Sequence, residues 1–342
     1  MRAVEFTTDR RARVVDRAVP EPGPGEVLVR VTSAGICGSD VAALRGVHPF
    51  RVPPLVTGHE GGGTVVEVGT GVDPAWTGRA VALEPQRACG DCSACAAALP
   101  HLCRHRVMLG MAQWPGTLAE FVTAPVGCLH PVAADVPGDL LALAEPLAVA
   151  AHALTLAPDP AGTRVAVLGG GPIGALLAHL AAAHGATDVA ATDPRPSSRA
   201  ACEAVGATVT ADPTADDWHD ALSGPGTFDV VYVAATAPGI VDDAVTLLRP
   251  RGTVVQVGLF SAPVTVDLTA LQADEKTIVG SIVYTAADFA AAVTALERAH
   301  ATLASLVTDS GGLDGAVNHL NAKIAGASDE IIKLLVRPGS TA

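Results

Sequence analysis

The chain has 342 residues, 49% hydrophobic and 17% charged, enough apolar material for two domains with separate cores. Its formal net charge of -13, from 22 Lys and Arg against 35 Asp and Glu, argues against a nucleic-acid partner or an anionic membrane surface. The longest apolar stretch, 140–157, is interrupted by Glu145, Pro146 and His152, so no membrane span is expected.

Residues 1–20 carry scattered charges and no apolar leader core, and the seven cysteines are odd in number. Both features lead us to expect a reducing, cytoplasmic setting. Up to about residue 130 the chain reads as short strands parted by Gly and Pro, with candidates at 27–31, 63–68 and 79–83. That pattern predicts a compact β-rich domain. Within it Cys89, Cys92, Cys95 and Cys103 read C-x2-C-x2-C-x7-C. Four thiolates so close in sequence can surround one tetrahedral Zn2+, and such a closed site holds a loop without doing chemistry.

Beyond residue 144 the pattern changes. A helix is expected over 140–156, a buried strand over 163–168, then the turn Gly169-Gly170-Gly171-Pro172-Ile173-Gly174 and a helix over 175–184. Strand candidates follow at 188–192, 208–210, 229–233, 252–258 and 277–283, with helices at 195–205 and 240–248 between them. This alternation predicts a parallel sheet covered on both faces. The tail offers one helix, 287–299, and a strand-like run at 331–336.

The glycine turn follows a strand, opens a helix, and has Asp193 at the end of the next strand, which is the setting of a dinucleotide site. Gly169 serves the tight turn, Gly171 the approach of a pyrophosphate to the helix N-terminus, and Gly174 close packing of helix on sheet. Asp193 would accept from the ribose hydroxyls and repel a 2'-phosphate, favouring NAD over NADP, while Arg195 and Arg199 lie near enough in sequence to meet a phosphate. Two further groups carry possible metal chemistry. Cys37, His59 and Glu60 sit among glycines and polar residues, and Glu145 is a carboxylate in an apolar stretch, costly unless paired or bound to a metal.

The segments GICGSD, GHEGGG, the four-cysteine loop, AEPLAVA and VAVLGGGPIGA occur in that order and resemble the zinc-dependent medium-chain dehydrogenases. The polyol, threonine and butanediol dehydrogenase branch is the nearer likeness, shared by GSIVYTAADF and KLLVRP near the end. The resemblance implies an α/β chain of two parts. A GroES-like catalytic domain would span 1–147 and 285–342, with a structural-zinc loop at 86–105, and a Rossmann doubly wound parallel-sheet domain would span 148–284. It implies two Zn2+ per chain, with Cys37, His59 and Glu145 binding the catalytic ion and Glu60 a fourth ligand or a group just behind it. Asp40 would hold His59, Ser39 would relay the alcohol proton, and Lys333 would face the cofactor pyrophosphate. The implied reaction is hydride transfer between a secondary alcohol (a polyol, diol, cyclitol or hydroxy-amino compound) and NAD, or the reverse reduction of a ketone. A homodimer or homotetramer is implied, with 280–285 as the contact. Two positions depart from the pattern: Ala42 stands where relatives place a relay histidine, with His48 as a substitute, and Val233 stands where they often carry an acid. Trp114 could shape the substrate pocket or pack. The rival readings are a zinc-independent NADPH enone or quinone reductase and a non-catalytic NAD- and zinc-binding sensor.

Overall fold

A computed structural model describes residues 1–222, 224, 226–327 and 330–340. The chain divides into two compact units, one of Met1–Glu145, Thr285–His300 and Val307–Ala342, the other of Pro146–Tyr284 and Ala301–Leu306. The divide falls at Glu145, two residues before the expected boundary, and the short segment Ala301–Leu306 groups with the second unit.

The first unit is built on the long strand Glu26–Ile36, which pairs antiparallel with Glu60–Val68, Phe121–Pro125 and Lys333–Val336. Its Val27, Val29 and Val31 are buried among Val65, Val81, Leu118, Val122, Leu334 and Val336, and Leu28 is buried as well, so within 27–31 only Arg30 is exposed. A three-stranded sheet, Ala12–Asp16, Arg2–Phe6 and Leu55–Val56, flanks it. The helix Leu313–Ile324 was not evident in the sequence, because Gly315, Asn318 and Asn321 are poor helix formers. Burial of Leu313, Ala316 and Leu320 outweighs that preference. Asn321 also exchanges two 3.0 Å hydrogen bonds with the backbone N–H and C=O of Ala12.

The second unit is a six-stranded parallel sheet in the order Val209–Ala211, Asp188–Thr192, Arg164–Leu168, Phe228–Val233, Leu248–Gln256 and Thr277–Gly280. The strand order reverses at Arg164–Leu168, so the crevice beyond its carboxyl end is where a doubly wound sheet binds its ligand. Val233 is fully buried in the core of this unit. The expected single helix over 140–156 is a 3-10 segment, Gly138–Leu143, running into the α-helix Ala144–Thr155.

Candidate zinc and dinucleotide sites

Four thiolates each about 2.3 Å from one zinc ion stand roughly 3.8 Å apart. The sulfurs of the cysteine loop lie 3.4 Å (Cys89–Cys103), 3.5 Å (Cys92–Cys95) and 3.9 Å (Cys89–Cys95) apart. All four are free thiols drawn into one cluster, and the donor set fits a closed zinc site. Hydrogen bonding, chiefly from the Cys95 backbone, pulls the Cys92 thiol down to about 6, while Cys89, chiefly through Asp91, and Cys95, chiefly through burial, are pushed up, so in the absence of an ion the cluster gives up one proton first.

The second cluster follows from strand register. Gly35 pairs with Glu60 on one side and with Leu335 on the other, so Cys37, Glu60 and Lys333 meet at the ends of three adjacent strands. The ligand atoms of Cys37, His59 and Glu60 lie within 4.8 Å of one another. A sulfur, a nitrogen and an oxygen donor so placed suit a catalytic zinc with an open position. Glu145 is buried nearby and its charge acts on Lys333, but it is not one of that trio. Gly35 makes room for the arrangement: a Cβ there would sit 1.8 Å from Glu60 Oε2.

The surroundings differ from expectation at three residues. Lys333, expected at a pyrophosphate, is buried with its ammonium on the Glu60 carboxylate and, at 3.2 Å, on the carbonyl of Ile36. Burial alone would push its pKa down, but Glu60, Cys37 and Glu145 outweigh burial and hold it above the usual lysine value. Asp40 Oδ1 is 3.7 Å from His59 Nδ1, and Arg51 Nη1 reaches both, at 3.1 Å and 2.9 Å. Asp40 also accepts from Thr57 Oγ1 at 2.6 Å and from the Cys37 N–H at 3.0 Å. Burial would raise its carboxyl, yet contacts with His59, Arg51 and Thr57 hold it well below the usual carboxylate range. His48, the suggested relay substitute, spends Nδ1 on the backbone N–H groups of Phe50 and Arg51, at 3.2 and 3.1 Å. Ser39 follows Cys37 on the helix Gly38–Leu44 and accepts from Arg51 Nη1 at 3.3 Å. Nothing in the segment FRVPP marked Arg51 as a site residue, because its partners lie 8 to 12 positions away and a lone arginine is ordinarily solvated. Trp114 packs in the core, donates to the Thr123 carbonyl at 2.8 Å and lies under the Arg87 guanidinium.

In the second unit the helix Pro172–Ala183 opens directly after Gly171, which offers no side-chain cap, and a Cβ on Gly171 would point into open space. The N-terminal N–H groups are thus left for an anion. A Cβ on Gly174 would lie 1.8 Å from the Gly169 carbonyl oxygen, and Gly169 itself has φ +104°. Asp193 Oδ2 accepts from the Gly170 N–H at 3.1 Å, and Oδ1 accepts from Arg195 N and Nε at 2.9 and 3.3 Å. Arg199 turns to the carbonyls of Asp193 and Pro194, at 2.7 and 3.1 Å.

A sulfur, nitrogen and oxygen donor set that could hold a metal on one unit, and a glycine turn at the switch point of a parallel sheet on the other, are the parts a metal-dependent dinucleotide oxidoreductase requires. Residues 23–134 match the alcohol dehydrogenase GroES-like domain and residues 172–298 the zinc-binding dehydrogenase domain. The chain is 32% identical to a 2-dehydro-3-deoxy-L-galactonate 5-dehydrogenase of Pseudoalteromonas atlantica over 84% of its length and 85% of that protein's. It is 34% identical to the L-galactonate-5-dehydrogenase of Escherichia coli K12 over 80% of its length and 81% of that protein's. A zinc-binding dehydrogenase of Sinorhizobium meliloti 1021, solved with NADP, superposes with a TM-score of 0.92 at 32% identity, covering 98% of this chain and 99% of that one. The chain belongs to the zinc-dependent medium-chain dehydrogenase family and is an NAD(P)-dependent alcohol oxidoreductase. The comparisons lend no support to the zinc-independent reading. Among the described residues no helix is long and apolar enough to cross a membrane.

Proposed function

We propose that the chain oxidises a secondary hydroxyl of a polyol or sugar acid with NAD, and reduces the corresponding ketone in reverse. The observation that carries this reading is the convergence of Cys37, His59 and Glu60 within 4.8 Å, with the Ser39 hydroxyl two residues from Cys37. Cys37 and His59, with Glu60 or Glu145 completing the set, would hold a zinc ion that would supply a Lewis acid to the substrate hydroxyl, and the glycine turn would hold the dinucleotide that would supply the hydride acceptor. Ser39 takes up the alcohol proton. As it does so it would give up its own hydroxyl hydrogen to the next group of the relay, one of its lone pairs taking the alcohol proton while the other accepts from Arg51. The uncapped first turn of Pro172–Ala183, entered from the extended Gly171, would receive the pyrophosphate, and Asp193 the ribose hydroxyls, so NAD is the preferred cofactor. A sugar acid is favoured because both curated relatives named above act on galactonates.

The test is zinc content per chain together with NADH formation on a panel of L-galactonate, other aldonates, polyols and vicinal diols, in the natural protein and in Cys37→Ser. Two zincs falling to one with loss of turnover is the expected result. One zinc in both would overturn it.

A further inference from the structure

Two glycines bracket His59 and Glu60, and one threonine from a distant part of the chain fills the space both leave open. A Cβ on Gly58 would lie 2.7 Å from Thr117 Oγ1, and a Cβ on Gly61 would lie 2.5 and 2.8 Å from Thr117 Cγ2 and Cβ. Gly58 also has φ +103°, a backbone conformation that residues with side chains rarely adopt. Thr117 is fully buried and stands 57 positions from Glu60 in sequence.

The backbone that carries His59 lies between strands. Leu55–Val56 ends before it and Glu60–Val68 begins after it, so its buried carbonyls need partners outside a ladder. The segment 116–118 supplies them. The N–H groups of Gly116, Leu118 and Thr117 donate to the carbonyls of Val56, Thr57 and Gly58, at 2.9, 3.0 and 3.0 Å. The Thr117 hydroxyl then donates to the Glu60 carbonyl at 2.9 Å. Thr117 thus bonds the peptide that precedes His59 and the peptide that follows Glu60. The two Cα atoms between them cannot shift without breaking one of those bonds. Packing alone would be served by valine, which has the same shape. Only the hydroxyl ties down the Glu60 carbonyl, and a buried carbonyl left without a donor is costly.

We propose that Thr117 is a positioning residue of the metal site. It acts through the backbone and fixes His59 and Glu60 against Cys37, within the 4.8 Å that the donor atoms span. An ion then does not have to gather its donors, and ordering that is already made shows as affinity. The inference rests on His59 and Glu60 belonging to the catalytic metal site.

The experiment is zinc affinity by chelator competition in the natural protein, in Thr117→Val, which keeps the shape and removes the donor, and in Thr117→Ser, which keeps the donor. The Cys37-dependent zinc is read against the zinc of the cysteine loop in the same sample. Thr117→Val is expected to weaken the Cys37-dependent zinc by about 10- to 100-fold, the range over which groups behind a ligand tune a metal site. The cysteine-loop zinc should be unchanged, and Thr117→Ser should stay close to the natural protein. Equal affinity in Thr117→Val and the natural protein overturns the proposal. So does equal weakening of both zincs, which reports loss of fold, and so does an equal loss in Thr117→Ser and Thr117→Val, which assigns the effect to packing. Should Thr117→Val not fold, Thr117→Ala removes the same donor and is compared with Thr117→Ser by the same criteria. A natural protein holding only the cysteine-loop zinc removes the ligand assignment and the proposal with it, a result distinct from equal affinity.

Discussion

The ammonium of Lys333 rests on the carboxylate of Glu60, with both side chains at or below 4% exposure although the two residues stand 273 positions apart in sequence. The pairing is made by register, through Glu60 opposite Gly35 and Leu334 opposite Ile36. Cys37 and Glu145 also act on the same ammonium.

Removing one partner of such a pair strands the other charge. Lys333→Met is expected to lower stability by about 3–5 kcal/mol, and the double variant with Glu60→Gln to recover most of that loss. Lys333 has a folded pKa above its ordinary 10.5, so its contribution is complete below that value and is lost as pH rises through the folded pKa. Urea melts at neutral pH and above pH 10.5 check both points. A double variant no more stable than Lys333→Met would show that the pair is not the source of the loss.

Gly35 and Gly174 test two close approaches against each other. A Cβ at 35 meets the end of a side chain, Glu60 Oε2 at 1.8 Å, whereas a Cβ at 174 meets backbone, the Gly169 oxygen at 1.8 Å. Glu60 can swing aside and a strand-to-helix turn can give only by shifting as a whole. Gly35→Ala is therefore expected to alter zinc content and leave NADH affinity unchanged. Gly174→Ala is expected to weaken NADH binding at least 10-fold, about 1.4 kcal/mol. Fluorescence titration with NADH and metal analysis on the same samples separate them.

The two binding regions were legible to different degrees, for a physical reason. The four cysteines and the glycine turn are local: their ligand atoms come from one short stretch, so spacing alone carries the chemistry. Cys37, His59 and Glu60 were recognisable as residue types, but only pairing of the strands that carry them brings them together. Arg51 and Lys333 left no trace of their roles, since each acts through contacts that register and a turned-in loop create. The helix Leu313–Ile324 was hidden because its stability comes from packing and from Asn321 against Ala12.

The cysteine loop should behave as a metal-held element. Its helical segments, Ser93–Ala96 and Pro100–Leu102, are too short to persist unaided. Cys103→Ser is expected to lower zinc by one per chain and to open residues 86–105 to protease first, with the rest of the chain cleaved later. Limited proteolysis with mass mapping reads this directly, and uniform resistance of the loop would contradict a zinc-held lobe.

Cofactor choice should turn on Asp193. Its carboxylate accepts from Gly170 and twice from Arg195, so its charge lies at the turn where a ribose arrives and partly neutralises the arginine. Asp193→Ser removes the repulsion toward a 2'-phosphate and leaves Arg195 free to meet it. The ratio of kcat/KM with NADP to that with NAD should rise at least 10-fold, mostly through the KM for NADP, because the change acts on binding of the adenosine end and not on hydride transfer. Arg195→Ala in the Asp193→Ser background should erase most of that gain. If it does not, the phosphate is met by Arg199, whose present ties to the Asp193 and Pro194 carbonyls would then have to break.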